Sequence, residues 1–303
     1  MSRGQKKRGD VINGVLLLDK PAGMTSNKAL QKCRYKINAQ KAGHTGALDP
    51  LATGLLPLCF GQATKVSSFL LGKGKTYAVS IMLGETRDTG DADGKVLEQR
   101  AFTADEDEVK AALNKYIGEY DQVPPMYSAL KVNGQPLYKL ARQGIEIERK
   151  ARRVSAHDIR FISLEGACLS FEVDCSSGFY VRSLSEDIGE TLGCGAHVQT
   201  LRRLSIGSLS LENAITWPDF EALEPQQACI DQLLTADSLI DDFTQIKVDA
   251  TQKAALIYGQ AITLETTIDT PTEWLRMYDE DQGFIGLGQL NSKGLLAPKR
   301  LFI

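Results

Sequence analysis

The chain has 303 residues, of which 43% are hydrophobic and 24% are charged. This composition is typical of a globular protein large enough for one large domain and a smaller one. No run of about 18 apolar residues predicts a membrane span, and no apolar segment follows the basic first residues as it would in a secretory signal. We therefore expect a cytoplasmic protein.

The charges are distributed unevenly, although their sum is only -3. Residues 1–75 hold 13 lysines and arginines against 3 acidic residues, whereas the remainder holds 22 against 35. Because phosphate binding requires a local basic face, the N-terminal part indicates a nucleic-acid partner. Residues 1–10 are predicted to be a basic flexible tail that can touch a nucleic-acid backbone. A charge asymmetry that merely aids solubility is the alternative.

Cysteines and histidines predict neither a disulfide framework nor a metal site. The six cysteines are scattered without a C-x-x-C pair, and the three histidines do not form an H-E-x-x-H motif. Reduced thiols are the simpler explanation. We expect no bound metal.

The N-terminal segment predicts a buried strand followed by a basic helix. Residues 14–18 are a continuous apolar run, and the next pattern predicts a helix over about 28–37. Lys28, Lys32 and Lys36 are four residues apart and therefore share one face. These lysines come shortly before residues 43–57, and this position favours contact with an RNA backbone. A solvated helix face is the default interpretation.

Residues 43–57 combine one carboxylate, Asp49, with apolar side chains, glycines, prolines and His44. Glycine and proline make a regular helix or strand improbable here, so we predict a shaped loop. A mostly apolar loop that presents a single carboxylate suggests an active site. The alternative is a buried turn in which Asp49 caps the following helix.

Later segments alternate between helical and extended patterns. We predict helices over about 63–71, 105–116 and 180–192, and strands over 76–83, from 149–153 toward Phe161, and over 168–175. Thr103 is the expected N-cap of the second helix. Residues 74–76 imitate the end of a Walker loop, but the required glycine five residues earlier is Phe69, so we reject nucleotide binding. The acidic segment 84–94 lacks EF-hand spacing and is predicted to be a hairpin loop.

The segment 122–144 interleaves aromatic and cationic residues, among them Tyr127, Lys131, Tyr138 and Lys139. This mixture suits base stacking and phosphate contact with single-stranded RNA. A packed structural loop is an equally good interpretation of the residues alone. From about residue 220 the composition changes, and the short alternating strands after residue 245 predict a small β-barrel.

Five segments, in this order, resemble the motifs of the pseudouridine synthases that modify the T-loop uridine of transfer RNA, the bacterial synthase B family. They are residues 14–26, 43–57, 75–77, 122–131 and 175–184. The resemblance extends from about residue 12 to about residue 218. It implies an α+β catalytic domain over residues 11–242, built on a mixed, largely antiparallel sheet with flanking helices. It also implies a PUA-like RNA-binding β-barrel over residues 243–303.

The resemblance also implies the chemistry of an isomerase that needs no cofactor. Conversion of uridine to pseudouridine breaks the bond from base N1 to ribose C1′ and rejoins the base through C5. Asp49 matches the family's nucleophile, Arg182 its ion-pair partner, and Tyr77 the residue whose ring lies against the uracil. Covalent attachment to Asp49 would hold the pieces together while the base turns.

Further positions match the family's substrate-binding residues: His44, Tyr77, Tyr180 and Leu201, with Lys20 added from the first motif. The implied partner is the T-stem-loop of tRNA, whose target base must be extruded from the loop. In the absence of coiled-coil heptads we expect a monomer.

Two other classes of function remain open at this point. A non-catalytic RNA-binding or tRNA-folding module would use the same basic face, but it would not need Asp49, Tyr77 and Arg182 together. A hydrolase of the glycosidase type would require a second acid in the site, and the motifs offer no obvious candidate.

Overall fold

The computed structural model describes residues 9–128, 130–132, 134–264 and 274–302. The predicted basic tail therefore lies outside the described residues except for its last two positions.

Strands account for most of the regular structure. In chain order they are β1 (Gly14–Lys20), β2 (Ala42–His44), β3 (Thr53–Phe60), β4 (Lys75–Leu83), β5 (Glu85–Arg87), β6 (Val96–Gln99), β7 (Gly118–Gln122), β8 (Lys131–Val132), β9 (Gln135–Pro136), β10 (Arg152–Glu165), β11 (Cys168–Cys175), β12 (Ala196–Ile206), β13 (Leu209–Ser210), β14 (Ile215–Thr216), β15 (Thr244–Lys247), β16 (Leu275–Tyr278), β17 (Phe284–Leu290) and β18 (Leu296–Leu301).

Helices flank these strands. They are α1 (Ser26–Lys36), α2 (Ser67–Leu71), α3 (Glu106–Asn114), α4 (Leu137–Ala141), α5 (Val181–Thr191), α6 (Trp217–Ala222), α7 (Gln226–Ile230) and α8 (Ala250–Ile257), with short 3-10 turns at Gly61–Lys65, Leu211–Asn213 and Ala236–Ile240. In the described ranges no helix is long and apolar enough to cross a membrane.

One large sheet organises the first three quarters of the chain. Its main path is β14-β1-β3-β12-β4-β11-β10-β7, with β2 added to β3 and β13 added to β12. The β1–β14 and β3–β12 pairs are parallel, and the other pairs are antiparallel. The predicted α+β class with a mixed, largely antiparallel sheet is confirmed.

The two faces of this sheet are buried in separate hydrophobic clusters. Along β1, Leu16 and Leu18 pack into the larger cluster with α1 and α5, whereas Val15 and Leu17 face a second cluster beneath α2. Because alternate side chains of a strand point to opposite faces, a strand covered on both sides must be apolar throughout. This explains the continuous apolar run that the sequence shows there.

Helix α3 lies within the predicted range, but its N-cap differs from the expected one. Its N-cap is Asp105, which accepts a hydrogen bond from the backbone N–H of Glu108 at 2.9 Å while the Glu108 carboxylate accepts from the Asp105 N–H. This reciprocal capping box satisfies two amides at once, so the expected cap at Thr103 was wrong.

The predicted irregular stretch is shorter than expected. Its first two residues belong to β2 and its last five to β3, so only residues 45–52 form the loop that carries Asp49. Antiparallel pairing of β2 with β3 holds the two ends of this loop together. The predicted helix over 63–71 is likewise a 3-10 turn followed by the short α2.

A four-stranded sheet with the order β15-β16-β17-β18 forms the C-terminal part, with α8 packed beside it. Phe69 of α2 meets this part edge-on, with ring centroids 5.2 Å from Phe243 and 4.9 Å from Trp274. Arg300 lies over the rings of Phe69 and Trp274. The expected small C-terminal β domain is thus present and rests directly on the large one.

Candidate active site

Helix α1 and the turn before it hold the Asp49 loop in place. Ser26, the first residue of α1, accepts a hydrogen bond from the Leu48 N–H at 2.7 Å and donates one to the Leu48 carbonyl at 3.0 Å. The Gly23 N–H donates to the Pro50 carbonyl at 2.8 Å. The residues on either side of Asp49 are therefore fixed, which directs its carboxylate away from the core.

Arg182 pairs with this carboxylate from the buried side of the site. Its Nη2 lies 2.9 Å from Asp49 Oδ2, and its side chain is only 7% exposed, whereas that of Asp49 is 43% exposed. Arg182 also donates to the Thr89 carbonyl at 3.1 Å and to the Tyr127 carbonyl at 2.7 Å. Three acceptors in different loops thus fix the guanidinium, and the carboxylate keeps an open side.

Opposing effects act on the ionisation of Asp49. Burial raises the pKa of its carboxyl above the ordinary value, the positive charge of Arg182 lowers it, and the nearby Asp91 raises it again. Lys20 contributes a further lowering effect. The net direction is upward, so the ionised form depends on the cations beside it.

Asp91 is the second carboxylate at this site, and sequence reasoning missed it. Its Oδ2 lies 3.9 Å from Arg182 Nη1, on the buried side of the guanidinium, and Thr89 donates a hydrogen bond to its other oxygen at 2.6 Å. The acidic hairpin over residues 84–94 was predicted correctly. Nothing in its spacing indicated that this one aspartate turns inward to face Arg182.

Tyr77 and Leu201 lie on the neighbouring strands β4 and β12. In the antiparallel register Tyr77 is opposite Arg203, and Val79 is opposite Leu201, so these four side chains share one face. Tyr77 is nearly fully buried. Burial raises the pKa of its phenol, and the neighbouring Arg203 lowers it. Arg203 was also missed by sequence reasoning.

Lys20 ends β1 as a fully buried cation. Its ammonium donates to the carbonyls of Pro21 at 2.8 Å and Met24 at 2.6 Å, and it reaches the Pro50 carbonyl at 3.5 Å. Burial lowers the pKa of Lys20 to about 8, although the charge of Asp49 opposes the shift. The residue therefore holds the turn beside Asp49 and adds positive charge there.

Tyr180 is fixed through its backbone by the buried side chain of Gln122. The Tyr180 N–H donates to Gln122 Oε1 at 2.8 Å, and Gln122 Nε2 donates to the Tyr180 carbonyl at 3.0 Å. This two-point contact sets where α5 begins, and hence where Arg182 projects from its first turn. Burial raises the pKa of the Tyr180 phenol, and the charge of Asp49 adds a smaller upward effect on the phenols of both Tyr180 and Tyr77.

His44 is the last residue of β2 and directly precedes the Asp49 loop. Burial and then Arg203 lower the pKa of its imidazole. Its Nδ1 is buried and has no hydrogen-bond partner among the described residues. A neutral imidazole follows, which fits a space-filling contact better than an acid-base role.

The basic face of α1 differs from its prediction. Lys32 lies 3.6 Å from a carboxylate oxygen of Glu221, and Lys36 lies 3.5 Å from one of Glu224. Lys32 also lies over the ring of Trp217. Helix α6 and the residues after it thus neutralise much of this face, which leaves less positive charge for an RNA backbone than the sequence suggested.

Comparison with known proteins adds to this geometry. Residues 34–181 match the TruB family pseudouridylate synthase N-terminal domain, residues 182–241 the tRNA pseudouridylate synthase B C-terminal domain, and residues 244–302 the Pseudouridine synthase II TruB C-terminal domain. A tRNA pseudouridine synthase B of Chromohalobacter salexigens is 47% identical over 300 residues, which cover 98% of this chain and 96% of the relative. The chain belongs to the TruB family of pseudouridine synthases. It is therefore an isomerase.

Other TruB family members match over equally long stretches. The tRNA pseudouridine synthase B of Actinobacillus pleuropneumoniae is 44% identical and is covered over 99% of both chains. Among solved structures, a Cbf5-Nop10-Gar1 complex contains a chain with a TM-score of 0.72 at 25% identity, covering 96% of this chain and 85% of that one. An H/ACA ribonucleoprotein bound to a substrate RNA shares the fold, with a TM-score of 0.73 at 21% identity over 100% and 92% of the two chains.

Proposed function

We propose that this TruB family enzyme converts uridine-55 in the T loop of tRNA to pseudouridine, with Asp49 as the nucleophile. The observation that carries this proposal is the partly open Asp49 carboxylate, held 2.9 Å from the buried Arg182 and close to Tyr77. The curated relatives in Chromohalobacter salexigens and Actinobacillus pleuropneumoniae are named as tRNA pseudouridine synthases, which supports tRNA as the substrate.

Each residue has a distinct task in the proposed reaction. The Asp49 carboxylate attaches to the nucleotide, the bond from base N1 to ribose C1′ breaks, and the base turns so that C5 bonds to C1′. The C5 proton then leaves with assistance from the Tyr77 hydroxyl, N1 takes up a proton, and the bond between Asp49 and the nucleotide breaks, which regenerates the carboxylate. Arg182 keeps Asp49 ionised against the effect of burial and orients one of its oxygens. Either the uracil ring or ribose C1′ can be the point of attack, because both need the same ionised carboxylate.

Binding of the substrate requires the target uridine to leave the folded T loop. Extrusion costs a few kcal/mol, which stacking on aromatic side chains offsets. Tyr77, Tyr180 and Leu201 supply the walls of the base pocket, while Lys20 and His44 shape its surroundings. In this proposal residues 11–242 act as the catalytic unit and residues 243–303 as an RNA-binding domain, in a monomeric, cytoplasmic enzyme.

A hydrolase of the glycosidase type is less consistent with the site. Asp91 supplies the second carboxylate that such a mechanism needs, but it is 6% exposed and lies on the buried side of Arg182. It is therefore shielded from any sugar bound at Asp49. Assistance with tRNA folding is compatible with the same surface, but it does not explain why a buried cation is directed at one carboxylate.

Tritium release tests the proposal. Transfer RNA carrying uridine tritiated at C5 is incubated with the wild-type protein, with Asp49→Ala and with Asp49→Asn, at matched RNA binding. Asp158→Asn, which changes an exposed carboxylate on β10, is the control. We expect release by the wild type and the control, none by the Asp49 variants, and none from tRNA in which uridine-55 is replaced by cytidine. Release by Asp49→Asn at the wild-type rate would remove Asp49 from the mechanism.

A further inference from the structure

Arg203 is a fully buried cation, only 1% exposed. In the part of the chain that the structure describes, no aspartate or glutamate forms an ion pair with it. Burying a charge is costly unless other groups compensate for the lost water. Its place in the fold therefore requires an explanation beyond packing.

Arg203 binds backbone carbonyls on both sides of Asp49, one in the Asp49 loop and one in β3. Its Nε donates to the Leu55 carbonyl at 2.8 Å, and its Nη2 donates to the Gly46 carbonyl at 2.8 Å. Gly46 and Leu55 lie on opposite sides of Asp49 in the sequence, so one guanidinium spans the loop. A Cβ at position 46 would lie 3.3 Å from Arg203 Nη1, and the φ of +65° there also favours glycine.

The same guanidinium lies beside Tyr77. The two residues are direct partners in the antiparallel β4–β12 register, so their side chains stand next to each other on one face of the sheet. An arginine can only donate hydrogen bonds. In their hydrogen bond Arg203 is therefore the donor and the Tyr77 oxygen the acceptor, so the phenol proton is not used in this contact.

We infer that Arg203 is a positioning residue for the isomerisation: it joins both sides of the Asp49 loop to the strand that carries Tyr77. The guanidinium fixes the distance between carboxylate and phenol and orients the phenol through its oxygen. Its rigid planar fork serves three groups at fixed angles, which the single ammonium of a lysine does not. This inference rests on the roles proposed above for Asp49 and Tyr77.

The test is a double-mutant cycle of Arg203→Lys with Tyr77→Phe, followed by single-turnover tritium release with enzyme in excess of tRNA. Arg203→Lys keeps a buried charge and should lower the rate by about 100-fold, as misplacement of a reacting group by about 1 Å does, while the RNA Kd changes less than about threefold. The matched control is Arg202→Lys, because Arg202 is the next residue, is 42% exposed and pairs with Asp19. It should keep its rate within about twofold.

The cycle separates positioning from a merely structural role. If Arg203 acts through Tyr77, the double variant should lose at least about tenfold less than the product of the two single losses. Additive losses, an unchanged rate for Arg203→Lys, or a loss explained by RNA binding would each overturn the inference. Should Arg203→Lys fail to unfold cooperatively in a thermal scan, Arg203→Met replaces it in the same cycle. An active Asp49→Ala protein would defeat the nucleophile proposal separately, because tritium release reports the reaction whatever its nucleophile.

Discussion

Arg182 contacts Asp49 from the protein interior, so that the arginine is buried while the carboxylate stays partly exposed. Its Nη2 approaches Asp49 Oδ2 to 2.9 Å while its own side chain stays 7% exposed, and the carboxylate that it holds is 43% exposed. An exposed ion pair of this length would contribute little because water screens it. Here one partner is desolvated and donates to two carbonyls as well, so the pair sets the direction and charge of the Asp49 carboxylate.

Replacing Arg182 with methionine should move the acid limb of the pH–rate profile to higher pH. In the proposed reaction Asp49 must be ionised, and Arg182 is the strongest group that lowers its pKa against the effect of burial. The activity should therefore be lost at a higher pH than in the wild type as the solution is acidified. Single-turnover rates across the acid range at matched RNA binding measure this, and an unchanged limb would show that Arg182 does not control the charge of Asp49.

Lys20 should make the protein more stable at alkaline pH. Its pKa falls from 10.5 in the unfolded chain to about 8 in the folded one, so the unfolded state binds more protons between these values. The free energy of unfolding therefore rises with pH across this window, by up to about 3 kcal/mol. Urea unfolding of wild type and Lys20→Met at several pH values isolates the effect, since tyrosine titration is common to both. Parallel stability curves for the two proteins would contradict it.

Gly54→Ala should disrupt the site more than an ordinary glycine replacement. Gly54 pairs with Arg203 where β3 and β12 run parallel, and a Cβ there would lie 2.3 Å from the Arg203 carbonyl oxygen. Backbone cannot move aside as a side chain can, so we expect a loss of at least about 3 kcal/mol. Gly193→Ala is the control, because its φ is also positive but its surroundings are empty. It should cost about 1–2 kcal/mol from backbone strain alone. Equal losses in urea unfolding would exclude the close approach as the cause.

Gln122→Leu should weaken substrate binding through Tyr180. It removes both hydrogen bonds that fix the Tyr180 backbone, and each buried bond contributes about 1 kcal/mol to stability. We expect the KM for tRNA to rise by about tenfold, with a smaller change in kcat, because a base-pocket wall loosens while Arg182 keeps its own hydrogen bonds to the Thr89 and Tyr127 carbonyls and still holds Asp49. The exposed Gln227→Leu serves as the control in steady-state kinetics. A fall in kcat alone would assign Gln122 to the chemical step instead.

Residue patterns predicted the architecture well and the inner layer of the site poorly. The run over residues 14–18 and the alternation over 168–175 identified strands because period and burial are local properties. Arg202 and Arg203, in contrast, are identical neighbours in the sequence, yet one forms an exposed ion pair and the other is a buried bridge. The pairing of β12 with β4 and β3 decides which arginine is buried, and the local sequence does not reveal that register.

The site residues divide in the same way. The pattern of residues 43–57 singled out Asp49, whereas Arg182 was assigned as its partner only through the family motifs, because their distance along the chain carries no local signal. Asp91 lies in an acidic turn with several carboxylates, and the local sequence does not show which of them faces Arg182 of α5. Patterns within single segments predict the helices and strands, whereas contacts between distant segments need either a relative or a structure.

The packing of the C-terminal sheet against α2 affects how the chain unfolds. Leu287 of β17 lies in the same buried cluster as Val15 and Leu17 of β1, and Phe69 of α2 packs against this cluster. A chain truncated near residue 243 would expose the hydrophobic residues on that side of the central sheet to solvent, and we expect it to aggregate. Although separate family models match the two parts, we expect both to unfold in a single thermal transition.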